Sequence, residues 1–294
     1  MKILIIKIGA AGDVLRTTPL LRKLFGEIYW LTGDQSLALL QPLSQVGSCI
    51  SFANRNRIVD IKFDLVINLE DALDCCEFLN QLKVKRIFGA HLDSNGAITY
   101  SKDSSGWFDL SCISRFGKEK ADRMKLLNRK SYQELIFSGL GLNFNGEQYI
   151  LPPSSETDCR GDIAVAPKAG SVWPMKNWGY YDVLIDRLRD LGVVVNILPR
   201  RESLLEHIGD IKNHRYLISG DSLPMHIALG CGTKCFTFFI CTSPWEIYDY
   251  GVQSKIVSPS LERYFYKRNL DVDAPFSISL EEAYKNIQDH IKKS

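Results

Sequence analysis

The sequence predicts an α/β protein with two Rossmann-like halves, each built on a parallel sheet. Short apolar runs of strand length alternate with helical patterns along most of the 294 residues, which is typical of β-α-β units. The helix-averse segment Pro-Pro-Ser-Ser at 152–155 interrupts this alternation, and a second alternating series follows it. We therefore expect an N-terminal domain over 1–153, a C-terminal domain over 154–278, and a closing helix over 279–294 that is able to pack back on the N-terminal domain.

The first half opens with a nearly continuous apolar run at 2–8, which is typical of a strand buried on both faces. Small residues at 9–12 form a turn, and helical spacing of apolar residues begins after Asp13. The later elements are predicted as strands at 28–33, 49–52, 65–68 and 86–89 and helices at 35–43 and 74–82. The polar residues Asn68, Glu70 and Asp71 end one of these strands, and we expect them at the sheet edge that carries Asp13.

Asp13 stands where the opening strand passes into its helix, and two roles are open to it. Aspartate is among the best N-cap residues and stabilises a helix start by ~1 kcal/mol. Ligands of open α/β sheets are usually held at the carboxyl ends of the strands, so a carboxylate there is also placed to act as a catalytic base. The turn lacks the complete G-x-G-x-x-G pattern, which disfavours a nicotinamide dehydrogenase.

A long polar insertion at 90–132 breaks the alternation. Between 115 and 130 it carries seven basic residues against two acidic ones. One interpretation is a solvated helix with ion pairs at i,i+3 and i,i+4 spacing. The other is a basic lip, including Arg115, Lys118 and Lys120, that meets an anionic acceptor or an anionic membrane surface.

The second half is predicted to contain strands at 163–166, 193–198, 216–219, 235–240 and 255–257, helices near 178–191, 204–208 and 224–229, and a last helix at 280–291. In the loop after the first of these strands, Lys168 and Ser171 are able to hold phosphate oxygens, although a lone loop lysine is more often simply exposed. Glu202 follows the next strand, where it is placed to accept hydrogen bonds from ribose hydroxyls or to complement a helix dipole.

A third junction, SGDSLPMH at 219–226, joins a strand to a helix. Asp221 and Ser222 are good N-caps, and a proline in the first turn loses no helical hydrogen bond. A helix start of this kind carries free N–H groups and partial positive charge, which suit a pyrophosphate. His226 lies one turn into the helix, where it either faces the ligand or is packed in the core.

Composition limits the functional classes. A net charge of +2 does not suggest a protein that coats nucleic acid, and 45% hydrophobic residues indicate a substantial core. No apolar run reaches the ~18 residues that span a bilayer, and the N-terminus lacks a signal-peptide pattern. The eight cysteines form no C-x-x-C pair and no zinc spacing, so we expect reduced thiols in a cytoplasmic protein.

Three separated motifs, GDVLRTTPLLRKL, SVWPMKNW and SGDSLPMHIALGCGTKCFTFFICTSPWEIY, occur in order along the chain. Together they resemble glycosyltransferase family 9, the ADP-heptose:lipopolysaccharide heptosyltransferases. The resemblance covers nearly the whole chain. It implies a GT-B architecture, in which two Rossmann-like domains face each other across a cleft, with the acceptor on the N-terminal side and the nucleotide sugar on the C-terminal side.

The resemblance also implies roles for individual residues. Asp13 matches the catalytic base, and Glu202 matches a carboxylate at the donor ribose. The residues that match the donor segment and the T-S-P turn are Asp221, Ser222, Leu223, His226, Thr242 and Ser243. The residues expected at the acceptor are Gly12, Arg16, Arg115, Lys118 and Lys120. The family's Thr-Gly is Ser222-Leu223 here, and its lysine before the W-P pair is Ser171, so the phosphate cation is expected from Lys168, from Lys176 or from another residue.

We therefore predict an inverting, metal-independent transfer of a heptose or related sugar from an ADP-sugar to a hydroxyl of a lipopolysaccharide core or other glycan. No cofactor and no nucleic acid is expected, and the predicted location is the cytoplasm, with contact at the inner face of the membrane. Two alternatives are a non-catalytic protein that binds nucleotide sugars or phosphoglycans and a GT-B nucleotide-sugar epimerase. Release of nucleoside diphosphate that depends on an acceptor would separate the transferase from both.

Overall fold

The computed structural model describes residues 1–170 and 172–292. The chain divides into two compact units, Met1–Pro153 and Ser154–Ser294, and their boundary falls inside the Pro-Pro-Ser-Ser segment. The described part contains no helix long and apolar enough to cross a membrane.

The first unit is a six-stranded sheet with helices between its strands and a separate two-stranded sheet. Its strands are β1 (Lys2–Ile6), β2 (Glu27–Thr32), β3 (Ser48–Ser51), β4 (Lys62–Phe63), β5 (Leu65–Asn68), β6 (Lys83–Val84), β7 (Ile87–Leu92) and β8 (Ile98–Tyr100). Its helices are α1 (Ala11–Thr17), α2 (Leu37–Leu40), α3 (Leu73–Leu79), α4 (Ser105–Phe108), α5 (Lys118–Leu127) and α6 (Tyr132–Gly139). The large sheet has the order β3-β2-β1-β5-β7-β8, and β4 pairs with β6.

The opening strand is the centre of this sheet, as its apolar sequence predicts. Residues Ile3 to Ile6 are completely buried, and β1 pairs in parallel with β2 on one side and with β5 on the other. The chain order reverses between β1 and β5, so a crevice opens at their carboxyl ends, which is where ligands bind in doubly wound sheets. The residues that follow β1 and β5 therefore form the first candidate site.

The prediction of an irregular insertion at 90–132 is wrong in one respect. Strand β8 pairs antiparallel with β7 and ends the otherwise parallel sheet at this edge. The polar residues after it form the short helix α4 and the ten-residue helix α5. Polarity obscured these elements, because α5 buries only Ala121 and Lys125 and shows little apolar periodicity.

The second unit is a single parallel sheet covered by helices. Its strands are β9 (Gly161–Ala166), β10 (Val195–Ile197), β11 (His214–Gly220), β12 (Lys234–Phe239) and β13 (Gln253–Val257), in the order β10-β9-β11-β12-β13. Its helices are α7 (Tyr181–Arg189), α8 (Leu204–Lys212), α9 (Leu223–Cys231), α10 (Leu261–Tyr264) and α11 (Leu280–Lys292). The order reverses between β9 and β11, so the loops after these two strands form the second candidate site.

The closing helix α11 belongs to the second unit. Its buried residues Ala283 and Ile287 lie in that unit's hydrophobic core, together with Phe236 and Ile256 from the sheet. The apolar face of this helix is therefore covered within the second unit, and its predicted return to the N-terminal domain stays a prediction.

The eight cysteines are free thiols, as predicted. Four of them are buried, namely Cys75, Cys76, Cys235 and Cys241, whereas Cys112 is exposed. Burial raises the pKa of the buried thiols, for example that of Cys235 to about 12. These side chains therefore act as small apolar core residues rather than as nucleophiles.

Candidate functional site

Asp13 lies in the first turn of α1, just beyond the carboxyl end of β1. The N-cap position is occupied by Ala10, which offers no side-chain hydrogen bond, and the Asp13 N–H donates to the Ala10 carbonyl at 2.8 Å. The alternative in which Asp13 is itself the N-cap is therefore wrong by three residues, because the helix begins inside the small-residue turn. A carboxylate in the first turn still complements the helix dipole.

The Asp13 carboxylate is held by Arg16, one turn further along the same helix. The Arg16 Nη2 atom lies 2.9 Å from Asp13 Oδ1. The Asp13 side chain keeps 35% of its surface exposed, whereas Arg16 keeps only 13%. The carboxylate is therefore fixed on one side by the guanidinium and remains accessible to a ligand on another.

Arg16 is in turn fixed by aromatic residues from the 90–132 insertion and its border. Its guanidinium carbon lies 4.3 Å from the centre of the Tyr132 ring and 5.4 Å from that of Trp107. The buried Tyr132 hydroxyl also shares a 2.9 Å hydrogen bond with Thr17 Oγ1, and Trp107 packs edge-on against Tyr132. Cation–π contacts of this kind contribute about 0.5–2 kcal/mol each. The insertion thus orders the helix that carries Asp13.

A buried ion pair lies at the base of the same turn. Lys7 follows β1 and is 8% exposed, and its Nζ atom lies 2.9 Å from Glu70 Oε1. The same carboxylate oxygen accepts hydrogen bonds from the N–H groups of Ile8 at 2.6 Å and Gly9 at 2.8 Å. Burial disfavours the ammonium, but the charges of Asp13 and Glu70 raise the pKa of Lys7 above its usual value. The expectation that Glu70 shares the edge of Asp13 is confirmed.

Arg115, Lys118 and Arg123 form ion pairs with acidic neighbours, which agrees with the solvated-helix interpretation. Lys118 forms an i,i+4 ion pair with Asp122, and Arg115 Nη2 lies 3.0 Å from Asp109 Oδ2. The Lys120 ammonium lies 4.5 Å from the centre of the Phe116 ring. Arg115, Lys118 and Lys120 are all exposed, so neither the ion pairs of the first two nor the ring contact of the third removes these basic side chains from solvent.

In the second unit, Asp221 follows β11 and is the centre of a polar cluster. Its Oδ2 atom accepts hydrogen bonds from Lys176 Nζ at 2.8 Å and from Thr242 Oγ1 at 2.7 Å, and its carbonyl accepts from Lys176 Nζ at 2.9 Å. Burial raises the pKa of the Asp221 carboxyl, but the charges of Lys176 and His226 outweigh it and lower that pKa below its usual range. Asp221 therefore carries a negative charge at neutral pH.

Local structure brings Lys176 to this position. A single 3-10 turn, Pro174–Lys176, follows Trp173, and the Lys176 ammonium lies 5.8 Å from the centre of the Trp173 indole. Gly220 permits the approach, because a Cβ atom there would come within 2.8 Å of the Lys176 carbonyl oxygen. The turn formed at Trp173 and Pro174 thus places the Lys176 ammonium at the start of α9.

The start of α9 is not capped by the side chains predicted to cap it. Ser222 occupies the N-cap position without a side-chain hydrogen bond to the helix, and its hydroxyl instead donates to the Gly220 carbonyl at 3.3 Å. The Asp221 carboxylate is occupied by Lys176 and Thr242. Leu223 is the first helical residue, so its side chain stands where the resembled family has glycine. His226 is 5% exposed.

The T-S-P turn after β12 completes this cluster. Thr242 and Ser243 are both buried, and the Ser243 hydroxyl has no hydrogen-bond partner among the described residues. Lys255 from β13 supports the turn from below, where its ammonium donates to the carbonyls of Pro244 at 2.7 Å and Ile247 at 2.5 Å. Burial lowers the pKa of Lys255. The turn is therefore held rigidly beside Asp221.

The sequence matches no family model and no curated protein. Its fold nevertheless matches solved structures over the complete chain. A glycosyl transferase family 9 protein from Veillonella parvula has a TM-score of 0.69 at 15% identity, with 100% of this chain and 97% of that chain covered. The E. coli heptosyltransferase WaaC with ADP-2-deoxy-2-fluoro heptose has a TM-score of 0.61 at 15% identity, with 100% of both chains covered.

A second E. coli structure, ADP-heptose LPS heptosyltransferase II, has a TM-score of 0.62 at 14% identity and covers 100% of this chain and 99% of that chain. The chain has the fold of these glycosyltransferase structures. The predicted α/β class with two Rossmann-like parallel sheets, the GT-B type, is thereby confirmed. The family 9 fold assigns no role to a single side chain at this level of identity, so the residue roles remain predictions.

Three residues that were predicted to bind the donor are not part of the Asp221 cluster as the structure describes it. Lys168 is exposed in the loop after β9 and has no ion-pair partner among the described residues. Glu202 is exposed and directly precedes Ser203, the N-cap of α8. Ser171 lies outside the described residues.

Several members of the clusters around Asp13 and Asp221 were not predicted from the sequence. Lys7 interrupts an apolar run immediately before the small-residue turn, and that interruption was a usable signal. Tyr132 and Trp107 reach Arg16 from more than ninety positions away, and no local pattern marks such contacts. Lys255 sits in a strand sequence without any motif around it.

Proposed function

We propose that the protein is a glycosyltransferase that moves a heptose or a related sugar from an ADP-sugar to a hydroxyl of a lipopolysaccharide core or another glycan. The first unit binds the acceptor and the second binds the donor. The observation that carries the proposal is the Asp13 carboxylate, which is fixed by Arg16 but still 35% exposed at the carboxyl edge of the first sheet. That E. coli WaaC was solved with ADP-2-deoxy-2-fluoro heptose, in a structure with this fold, supports the donor class.

In the proposed reaction Asp13 is the general base. Its carboxylate takes the proton of the acceptor hydroxyl while that oxygen attacks the anomeric carbon of the donor. The bond between the anomeric carbon and the phosphate oxygen breaks on the opposite face, and its electron pair leaves with the nucleoside diphosphate. A single displacement of this kind inverts the configuration at the anomeric carbon.

The leaving diphosphate is stabilised by the start of α9 and by the Lys176 ammonium. Ser222 leaves the first-turn N–H groups of this helix without a side-chain cap, and a helix start of this kind favours an anion. Thr242, Ser243 and His226 line the same cluster, and Glu202 and Lys168 are proposed to reach the ribose and the phosphates. The N–H groups at the start of α9 and the Lys176 ammonium supply the charge stabilisation for which other enzymes use a metal ion.

The proposal is tested by product analysis with a panel of nucleotide sugars. Purified protein is incubated with ADP-, GDP- and UDP-sugars and deacylated lipopolysaccharide core, and the products are identified by mass spectrometry and anomeric NMR. We expect acceptor-dependent release of ADP, inversion at the anomeric carbon and an unchanged rate in excess EDTA. Preference for a UDP-sugar would contradict the donor assignment, and sugar conversion without acceptor would show an epimerase.

We further propose that Arg16 and the buried Gly12 line the acceptor site and that Arg115, Lys118 and Lys120 attract acceptor phosphates or anionic lipid. The double variant Lys118→Ser, Lys120→Ser is expected to raise the acceptor KM about 30-fold at low salt, since each of the two basic residues contributes roughly 1 kcal/mol near an anionic surface. The kcat value should not change.

The matched control for this prediction is Lys62→Ser, Lys83→Ser, which removes two exposed lysines from the small sheet of the same unit. Soluble deacylated acceptor and anionic vesicles are compared as separate arms. A loss only with vesicles assigns the lysines to the membrane, a loss with both assigns them to the acceptor, and equal effects of the two double variants would refute a local role.

A further inference from the structure

The buried Lys7–Glu70 pair has no role in the proposed reaction, although it lies under the turn that precedes Asp13. Both side chains are largely removed from solvent, with 10% of Lys7 and 15% of Glu70 exposed. An isolated buried charge is costly, and a buried ion pair is on average no more stabilising than apolar residues of the same size. Stability alone therefore does not account for a charged pair at this position.

The geometry ties the pair to the active turn. Glu70 Oε1 accepts from three donors, the Lys7 ammonium and the N–H groups of Ile8 and Gly9. A Cβ atom on Gly9 would lie 3.4 Å from both Lys7 Nζ and Glu70 Oε1, so the two charged atoms sit directly against this glycine. The backbone that leads into α1 is thus hydrogen-bonded to a carboxylate whose charge Lys7 balances.

The charged and titratable groups that face the Lys7 ammonium are Asp13, Glu70 and the Tyr132 phenol. Arg16 is a further charged group near these side chains, because it contacts Asp13 at 2.9 Å and stacks on Tyr132. Asp13 therefore interacts with two cations, with Arg16 on its own helix at 2.9 Å and with Lys7 through the attraction of their charges. The second cation is itself balanced by Glu70.

We propose that Lys7 and Glu70 are positioning residues that set the charge environment of Asp13, with Lys7 stabilising its carboxylate form and Glu70 limiting that effect. This inference rests on the proposed function, in which Asp13 is the base. It makes a prediction that a purely structural pair does not make. Removing the positive charge and removing the negative charge must shift the protonation of Asp13 in opposite directions.

The test uses the full-length variants Lys7→Met and Glu70→Gln. In Lys7→Met the Asp13 carboxylate loses a stabilising cation, so the acidic limb of the pH profile of kcat moves upward by about one pH unit. In Glu70→Gln an opposing negative charge is lost, and the same limb moves downward. The KM for the nucleotide sugar remains unchanged in both variants. A Lys7→Arg variant keeps the positive charge and is expected to restore the position of the limb.

The matched control is Lys23→Met, which breaks another ion pair of the first unit, the one between Lys23 Nζ and Glu147 Oε1 at 2.8 Å. This variant should leave the limb in place. A second readout does not need turnover: the carboxyl carbon of isotope-labelled Asp13, assigned with Asp13→Asn, is titrated by NMR in wild type and in both variants. Its midpoint is expected to move with the kinetic limb.

The outcomes separate the two proposals. Opposite shifts in the NMR titration support the inference, even if the wild-type protein transfers no sugar, in which case only the proposed function fails. Equal shifts, no shift, or failure of both variants to fold would show that the pair is structural and overturn the inference. Should only Lys7→Met fail to fold, a downward shift in Glu70→Gln still supports it, because the amide oxygen retains the bonds from Ile8 and Gly9.

Discussion

Replacing Asp13 with asparagine is expected to lower kcat by a factor of about 10² to 10⁴, the range that a general base contributes. The amide keeps the size of the side chain and an oxygen toward Arg16, but it cannot accept the proton of the acceptor hydroxyl. Binding of the nucleotide sugar should be unchanged, because Asp13 belongs to the first unit and the proposed donor cluster to the second. Steady-state kinetics and donor calorimetry measure the two quantities separately.

The control for Asp13→Asn is Asp34→Asn. Asp34 is an exposed carboxylate in the first turn of the helical segment that follows β2, just as Asp13 lies in the first turn of the helix that follows β1. Both substitutions remove the favourable interaction of a carboxylate with a helix start, worth about 0.3–1 kcal/mol. Asp13→Asn also removes the charge that pairs with Arg16, so its loss of thermal stability is expected to be equal or larger. Near-normal turnover of Asp13→Asn would contradict its assignment as the base and leave only its role at the helix start.

The variant Lys176→Met is expected to weaken binding of the nucleoside diphosphate about 10- to 100-fold. Its ammonium is held at the start of α9 by the Asp221 carboxylate and the Asp221 main-chain carbonyl. A hydrogen bond to a charged group contributes roughly 1.5–3 kcal/mol. Loss of the cation also leaves the buried Asp221 charge without its main partner, which adds repulsion toward the diphosphate. Calorimetric titration with ADP measures the change.

Lys168→Met is the comparison for that experiment. Lys168 stands in the loop after the neighbouring strand β9 but is exposed, so its removal should weaken ADP binding less than 5-fold, as expected for a solvated charge contributing at most about 1 kcal/mol. A larger effect at Lys168 than at Lys176 would reverse the assignment of the phosphate cation. Thermal unfolding of both variants shows whether a loss of affinity reflects a loss of fold.

The two large sheets were largely predictable because most of their strands carry their own signal. β1 is a short apolar run, as expected for the centre of a parallel sheet, and alternation with helices implies the β-α-β connections. The weakest predictions were at the edges, where β8 turns antiparallel and α5 is too polar to show apolar periodicity. An element that buries little surface has little pattern in its sequence.

The candidate site was predictable only as far as chain neighbours determine it. The residues that follow β1 and β11 in sequence, Asp13 and Asp221, were found because a strand, a small-residue turn and a helix are consecutive there. The N-cap prediction failed in position at α1, whereas at α9 Ser222 does occupy the N-cap and only the expected side-chain hydrogen bond is missing. At α1 the helix begins at Ala11, and at α9 the expected caps bond elsewhere.

The sequence by itself determined the two parallel-sheet halves, the helix start that carries Asp13 and the polar junction at Asp221, since all of these follow from local order along the chain. Only the tertiary structure decided which side chains hold those carboxylates. Arg16 is fixed by Tyr132 and Trp107, Lys7 by Glu70, and Asp221 by Lys176 and Thr242. Except for the Arg16–Asp13 pair within one helix turn, these partners are brought together by strand order in the sheets and by long-range packing, which no spacing in the sequence encodes.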